Sequence, residues 1–216
     1  MARFELVAFD CDGVLVDTEP VTCGVLAAML GELGWKLTTE EAMRIFVGRL
    51  VRDELPMIEA NIGGTMPADF YTRFVERRNA ALLEGVEPVR NIRTALDALV
   101  AHEVDFCVAS GADRAKMHIT LGQTGLLPLF EDKMFSGMEV ARTKPAPDVY
   151  LAAARAFGAD PARCVVIEDT PTGIAAGIAA GMTVYGYAER MDAHRLRDAG
   201  AVEVFDDMAR LAELVL

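Results

Sequence analysis

Two kinds of apolar pattern alternate along the chain. Apolar, strand-like runs at residues 4–9, 104–109, 164–167, 182–187 and 202–205 show no helical period and predict buried strands. Between them, Ile92, Ala95, Leu96, Leu99 and Val100 recur at the short steps of an amphipathic helix, as do Val149, Tyr150, Ala153, Ala154 and Phe157. Strand alternating with helix implies an α/β fold with a doubly wound parallel sheet. Residues from about 18 to 86 break this rhythm. There Val21, Val25, Met29 and Leu33 step by four, helical segments follow around 40–60 and 67–84, and Gly63, Gly64 and Pro67 punctuate the middle. The pattern predicts an all-helical domain, residues 17–87, inserted into a core made of residues 1–16 and 88–216.

Polar residues stand where the apolar runs stop, at the sheet edge where open α/β folds place ligands. The first run ends in Asp10-Cys11-Asp12-Gly13. Two carboxylates so close repel unless a divalent cation joins them or one keeps its proton. Both conditions suit attack on phosphorus by Asp10, with Asp12 handling the proton. The second run ends in Ser110-Gly111, a cradle for phosphate oxygens or a plain strand-to-helix turn capped by Ser110. In Thr143-Lys144-Pro145-Ala146-Pro147-Asp148 the prolines stiffen the chain, and Asp148 is suited to cap the helix that follows. A rigid Lys144 would neutralise charge on Asp10 and on phosphoryl oxygens; a lysine before a helix is otherwise simply solvated. The third run ends in Glu168-Asp169, acids that are costly there unless they bind something. Asp169 would complete an oxygen-ligand set for Mg²⁺, and Glu168 would hold a water of that ion. Gly173, Gly177 and Gly181 give the next helix a smooth side, and Gly181 suits its C-terminal cap.

Composition narrows the classes. A chain of 216 residues can bury one core and carry a modest insertion. A net charge of −12 argues against non-specific nucleic-acid binding. Cys11, Cys23, Cys107 and Cys164 have no paired spacing, so neither zinc nor a disulfide framework is expected. No run reaches membrane-spanning length and the first strand begins without a signal pattern, so a cytoplasmic protein, monomeric or a small homo-oligomer, is expected.

The four strand-end motifs in this order resemble the haloacid dehalogenase superfamily. Asp10 to Gly13 match its Asp-x-Asp-Gly motif, Ser110 its second, Lys144 its third, and Glu168 with Asp169 its acidic pair. The resemblance implies a Rossmann-like catalytic core and a helical cap inserted after the first motif. It implies an aspartyl-phosphate on Asp10, general acid and base work by Asp12, and Mg²⁺ held by Asp10, the Asp12 carbonyl and Asp169. The family's dehalogenases lack the second aspartate, so Asp12 favours phosphorus chemistry. Its phosphonate-cleaving members need a cap lysine, and Lys36 reads better as a surface residue. Its β-phosphoglucomutase branch uses a cap histidine shortly after the first motif, where this chain reads Asp17-Thr18-Glu19-Pro20; His102, His118 and His194 all fall in the core.

Hydrolysis of a small phosphorylated metabolite is therefore the expected activity. The mutase and a non-catalytic phosphometabolite-binding protein are the alternatives. Substrate contacts are expected from Ser110, Gly111, Thr18, Gly48, Arg49 and Arg52, the arginines being suited to a second anionic group; Arg73, Arg77 and Arg78 read as a solvated helix face. Residues 9–12, Lys116-Met117 and residues 133–137 most resemble the bacterial sugar-acid phosphatases acting on 6-phosphogluconate.

Overall fold

The computed structural model describes residues 3–216 apart from Gly48, Leu50 and the Arg52 side chain. The elements run β1 (Leu6–Phe9), β2 (Val16–Asp17), α1 (Glu19–Glu32), α2 (Thr39–Phe46), a 3-10 turn (Val51–Asp53), α3 (Leu55–Ile62) and α4 (Phe70–Glu84). They continue with β3 (Glu87–Pro88), α5 (Ile92–Ala101), β4 (Asp105–Ser110), α6 (Arg114–Gln123), α7 (Leu127–Phe130), β5 (Met134–Ser136) and α8 (Asp148–Phe157). The last are β6 (Cys164–Glu168), α9 (Pro171–Ala179), β7 (Thr183–Tyr187), α10 (Ala193–Asp198), β8 (Glu203–Phe205) and α11 (Leu211–Val215).

Six strands form one parallel sheet in the order β5-β4-β1-β6-β7-β8. After β1 the chain builds outward through β4 and β5, then returns to the other side of β1 for β6, β7 and β8. The order thus reverses at β1, and the crevice at such a reversal is where this architecture binds ligands. Side chains alternate between the two faces. Val7, Phe9, Phe106, Val108, Val165, Ile167 and Tyr185 join Ile92, Leu96, Met117, Leu121, Phe130 and Leu211 in one core. The opposite face meets α8 and α9, where a Cβ on Gly177 would lie 2.6 Å from a Val184 methyl. The smooth side expected of this helix is thus a packing surface, and Gly181, at φ +76°, follows its end.

Two strand pairings go beyond the five expected strands. Met134–Ser136 adds β5 at the sheet edge, and β2 pairs antiparallel with β3 as a short ribbon. Because Asp17 and Glu87 pair in that ribbon, the two compact units are residues 1–17 with 87–216, and residues 18–86.

The second unit is all helical. Helix α1 packs on α2 and α4 around Leu26, Leu30, Phe46, Ile58, Phe70 and Phe74. Helix α2 begins with a capping box, in which Thr38 and Glu41 satisfy each other's backbone amides. Among the described residues, no helix is long and apolar enough to cross a membrane.

Candidate active site

The core unit gathers Asp10, Asp12, Ser110, Lys144, Glu168 and Asp169 from the carboxyl edge of adjacent strands. Strand β1 is fully buried, and the Asp10 amide still donates to the Ile167 carbonyl at 3.0 Å. The chain then turns back tightly: the amides of Leu15 and Val16 both donate to the Cys11 carbonyl. Gly13 sits in this turn at φ +77°, and a Cβ there would lie 2.1 Å from Asp169 Oδ2. Only glycine lets the β1 loop approach the acid that follows β6.

Lys144 is the hub. Its ammonium donates to Asp10 Oδ1 at 2.6 Å and Glu168 Oε1 at 2.7 Å, and lies 4.7 Å from the Tyr150 ring centroid. Glu168 is held on both oxygens. Oε1 also accepts the Tyr150 hydroxyl at 2.8 Å; Oε2 accepts the Asp169 amide at 3.1 Å, the Thr170 amide at 3.2 Å and the Thr170 hydroxyl at 3.0 Å. Asp12 belongs to a separate pair, with Lys116 Nζ donating to its Oδ2 at 2.7 Å.

These ion pairs set the charge of the site. Burial pushes the Asp10 carboxyl up to about 7; Lys144 opposes this, while Glu168 and Asp12 reinforce it. Burial alone would lower the Lys144 pKa, but Asp10 and Glu168 outweigh it and hold the ammonium well above its usual range. Burial, then Glu168, likewise lifts the Tyr150 hydroxyl, which stays protonated as a donor.

Four acids (Asp10, Asp12, Glu168, Asp169) face two lysines. With all ionised, the excess is the two negative charges that one divalent cation would cancel. Asp10, Glu168 and Asp169 each bring a carboxylate oxygen within 4.8 Å of the others. An all-oxygen set suits a hard ion such as Mg²⁺ rather than a thiophilic metal, so the residues present fit that ion.

Some expected details are corrected. Asp148 does not cap α8: it lies inside the first turn and its carboxylate accepts from Arg142 at 3.0 and 3.2 Å. Ser110 is not the cap of α6 either. Asp113 is, through the Lys116 amide, while Ser110 Oγ accepts the Ala112 amide at 3.1 Å. Its hydroxyl proton is left to donate, and Gly111 continues the turn.

Of the other substrate candidates, Thr18 is buried at the head of α1, its carbonyl accepting the Thr22 amide. Arg49 pairs with Glu54 at 3.2 Å, and Gly48 and the Arg52 side chain lie outside the described residues. Arg73 and Arg77 both reach Glu32 of α1, so an acid from another helix faces them.

Lys116 and the Tyr150 hydroxyl are the site groups the strand-end motifs miss. Lys116 had a signal: it shares the buried stripe of α6 with Met117, Thr120 and Leu121, and a lysine there needs a partner.

Residues 4–181 match the family model of haloacid dehalogenase-like hydrolases. The chain is 33% identical over 187 residues to the 6-phosphogluconate phosphatase of Escherichia coli K12, covering 86% of this chain and 83% of that protein. Among solved structures it resembles a haloacid dehalogenase-like protein of unknown function from Agrobacterium tumefaciens, with TM-score 0.89 and 32% identity over 98% of this chain and 97% of that one. It also resembles a family hydrolase from Deinococcus radiodurans, solved with bound phosphate and sodium: TM-score 0.84, 35% identity, 100% of this chain and 99% of that one.

Proposed function

The chain belongs to the haloacid dehalogenase-like hydrolase family, and from that premise we propose that it is a Mg²⁺-dependent phosphatase of a small phosphorylated sugar or sugar acid. The observation that carries this reading is the division of labour between the two aspartates. Asp10 is buried and held by Lys144, while Asp12 is held apart by its own lysine, Lys116. One acid is thereby suited to attack and the other to proton transfer.

Asp10 attacks phosphorus, an Asp10–phosphorus bond forming as the ester P–O bond breaks. Asp12 gives its proton to the departing alkoxide. It then takes a proton from the water that attacks the aspartyl-phosphate, which releases phosphate and restores Asp10. Lys144 favours the ionised form of Asp10 and offsets charge on the phosphoryl oxygens; the Ser110 hydroxyl donates to one of them. Asp10, the Asp12 carbonyl and Asp169 would hold Mg²⁺, with Glu168 beside it, and the ion supplies charge neutralisation and alignment of the phosphoryl group.

We assign substrate selection to residues 18–86, acting as a cap, with Arg49 and Arg52 suited to a second anionic group. Similarity to the E. coli enzyme supports a sugar acid such as 6-phosphogluconate.

The test is phosphate release from phosphorylated sugars, sugar acids and nucleotides, with Mg²⁺ and with chelator. Metal-dependent release that disappears in Asp10→Asn supports the reading. Appreciable turnover by Asp10→Asn removes Asp10 as the nucleophile, and equal turnover of neutral sugar phosphates and 6-phosphogluconate removes the sugar-acid preference.

A further inference from the structure

We propose that Lys116 is a positioning residue for proton transfer: it fixes the Asp12 carboxyl for the leaving group and stabilises the carboxylate that forms there. This rests on the phosphatase reading above. Helix α6 is fastened at its start by three contacts. Asp113 caps it through the Lys116 amide at 2.8 Å. Arg114 grips Glu139 at 2.8 and 2.7 Å and the Met134 carbonyl at 3.0 Å. The face so fixed then meets the β1 loop twice, one helical turn apart. Lys116 Nζ binds Asp12 Oδ2 at 2.7 Å, and Thr120 Oγ1 lies 3.8 Å from Cys11 Sγ.

Lys116 is 8% exposed, which is far from the usual place of a lysine. Burying the ammonium costs free energy unless it is paired and hydrogen-bonded, so the arrangement ties the lysine to Asp12. With one carboxylate oxygen anchored to a rigid helix, the plane of the Asp12 carboxyl is set relative to Asp10. When Asp12 transfers its proton to the alkoxide oxygen, negative charge appears beside the ammonium and is stabilised where it develops. When it later takes a proton from the attacking water, the same tether holds it in place. No atom is exchanged with Lys116 in either step.

A positioning role for proton transfer depends on the leaving group, whereas a structural role does not. An alkoxide needs the Asp12 proton to depart; a nitrophenolate leaves without it. In Lys116→Met, kcat/KM for the best sugar phosphate should fall about 100-fold, the size of a misplaced catalytic group. For p-nitrophenyl phosphate it should fall less than about threefold. Lys116→Arg should recover most of the lost rate, and Lys116→Met added to Asp12→Asn should cost nothing further.

Equal losses on both esters would assign Lys116 to the fold alone. A rise in KM for anionic substrates at unchanged kcat would make it a substrate contact, and additive losses with Asp12→Asn would separate it from Asp12; each result overturns the assignment. Should Lys116→Met fail to fold by circular dichroism, Lys116→Gln is compared with the wild type on the two esters instead: a selective alkyl-ester loss supports the assignment, and a uniform loss or none refutes it. No phosphate release by the wild type from any ester would remove the phosphatase reading, and this assignment with it.

Discussion

Gly173→Ala adds one methyl group where the site has no room for it. A Cβ at this position would lie 1.7 Å from Glu168 Oε1 and 1.9 Å from Cδ. The Glu168 carboxylate must therefore move by ~1.5 Å or more to reach ordinary contact. It is held at five points: Lys144 and Tyr150 on one oxygen, and the Asp169 amide, the Thr170 amide and the Thr170 hydroxyl on the other. A shift of that size breaks at least the two bonds to Oε1 and strands a buried charge. Disrupting one side of a buried ion pair costs about 3–5 kcal/mol. The alanine returns about 1 kcal/mol of helix propensity at most, so a net loss of about 2–4 kcal/mol is expected. For a protein of this size that lowers the Tm by roughly 4–16 °C.

Thermal unfolding followed by circular dichroism reads this directly. Gly177→Ala is the control. The nearest atoms its Cβ would meet belong to the Val184 and Val166 side chains, at 2.6 Å and 3.3 Å, so it costs about 1–3 kcal/mol of overpacking and leaves Glu168 in place. Activity then separates the two variants. Gly173→Ala should lose about 100-fold in kcat, because Lys144 and Asp10 shift with Glu168, whereas Gly177→Ala, where folded, should stay near wild type. A Gly173→Ala protein with unchanged Tm and full turnover would refute the reasoning.

Three further outcomes follow. Asp10 titrates at about 7 in the folded protein against 3.8 in the unfolded chain, so the fold binds the extra proton between those values. In chelator, wild-type stability relative to Asp10→Asn should thus decline as pH rises from about 4 to about 7 and level off above; a difference in Tm that ignores pH would refute it. Asp169→Ala should weaken Mg²⁺ binding by more than about tenfold, read from the metal-induced rise in Tm, and an unchanged rise would exclude Asp169 as a ligand. Tyr150→Phe keeps the ring beside Lys144 but removes a donor to Glu168. It should cost about 1–3 kcal/mol, and a Tm equal to wild type would mean the hydroxyl supports nothing.

How legible the site was depended on how local each signal is. The ends of β1, β4 and β6 stood out because the buried stretch of each strand is apolar, so Asp10, Ser110 and Glu168 each follow an apolar run. Strand β5 has three residues, Met134, Phe135 and Ser136, too few to make a pattern. It exists because the exposed edge of β4 offers it a hydrogen-bonding partner, and sequence order cannot display that.

The roles of Asp148 and Lys116 turned on which partner the fold supplies. A caplike aspartate reads the same in sequence whether a helix amide or Arg142 takes its carboxylate. The pairing of Lys116 with Asp12 spans 104 positions; the sequence carried only the oddity of a lysine among buried α6 residues. Tyr150 looked apolar because its ring packs like one, while its hydroxyl function depends on where β6 ends.

The β2–β3 ribbon gives the helical insertion a single doorway. Asp17 and Glu87 stand opposite each other in the antiparallel register, so their Cα atoms are separated by about 5 Å, whatever length of chain runs between them. Val89 closes onto the Leu15 carbonyl at 3.1 Å, and Arg190 clasps Asp17 from the loop after β7. The sixty-nine residues from Thr18 to Val86 are in effect the contents of one long hairpin loop. An Asn-Gly turn in their place satisfies the same two ends, and so would a foreign domain with adjacent termini. The register of Asp17 against Glu87 thereby fixes where the insert leaves and rejoins the core, however many residues lie between.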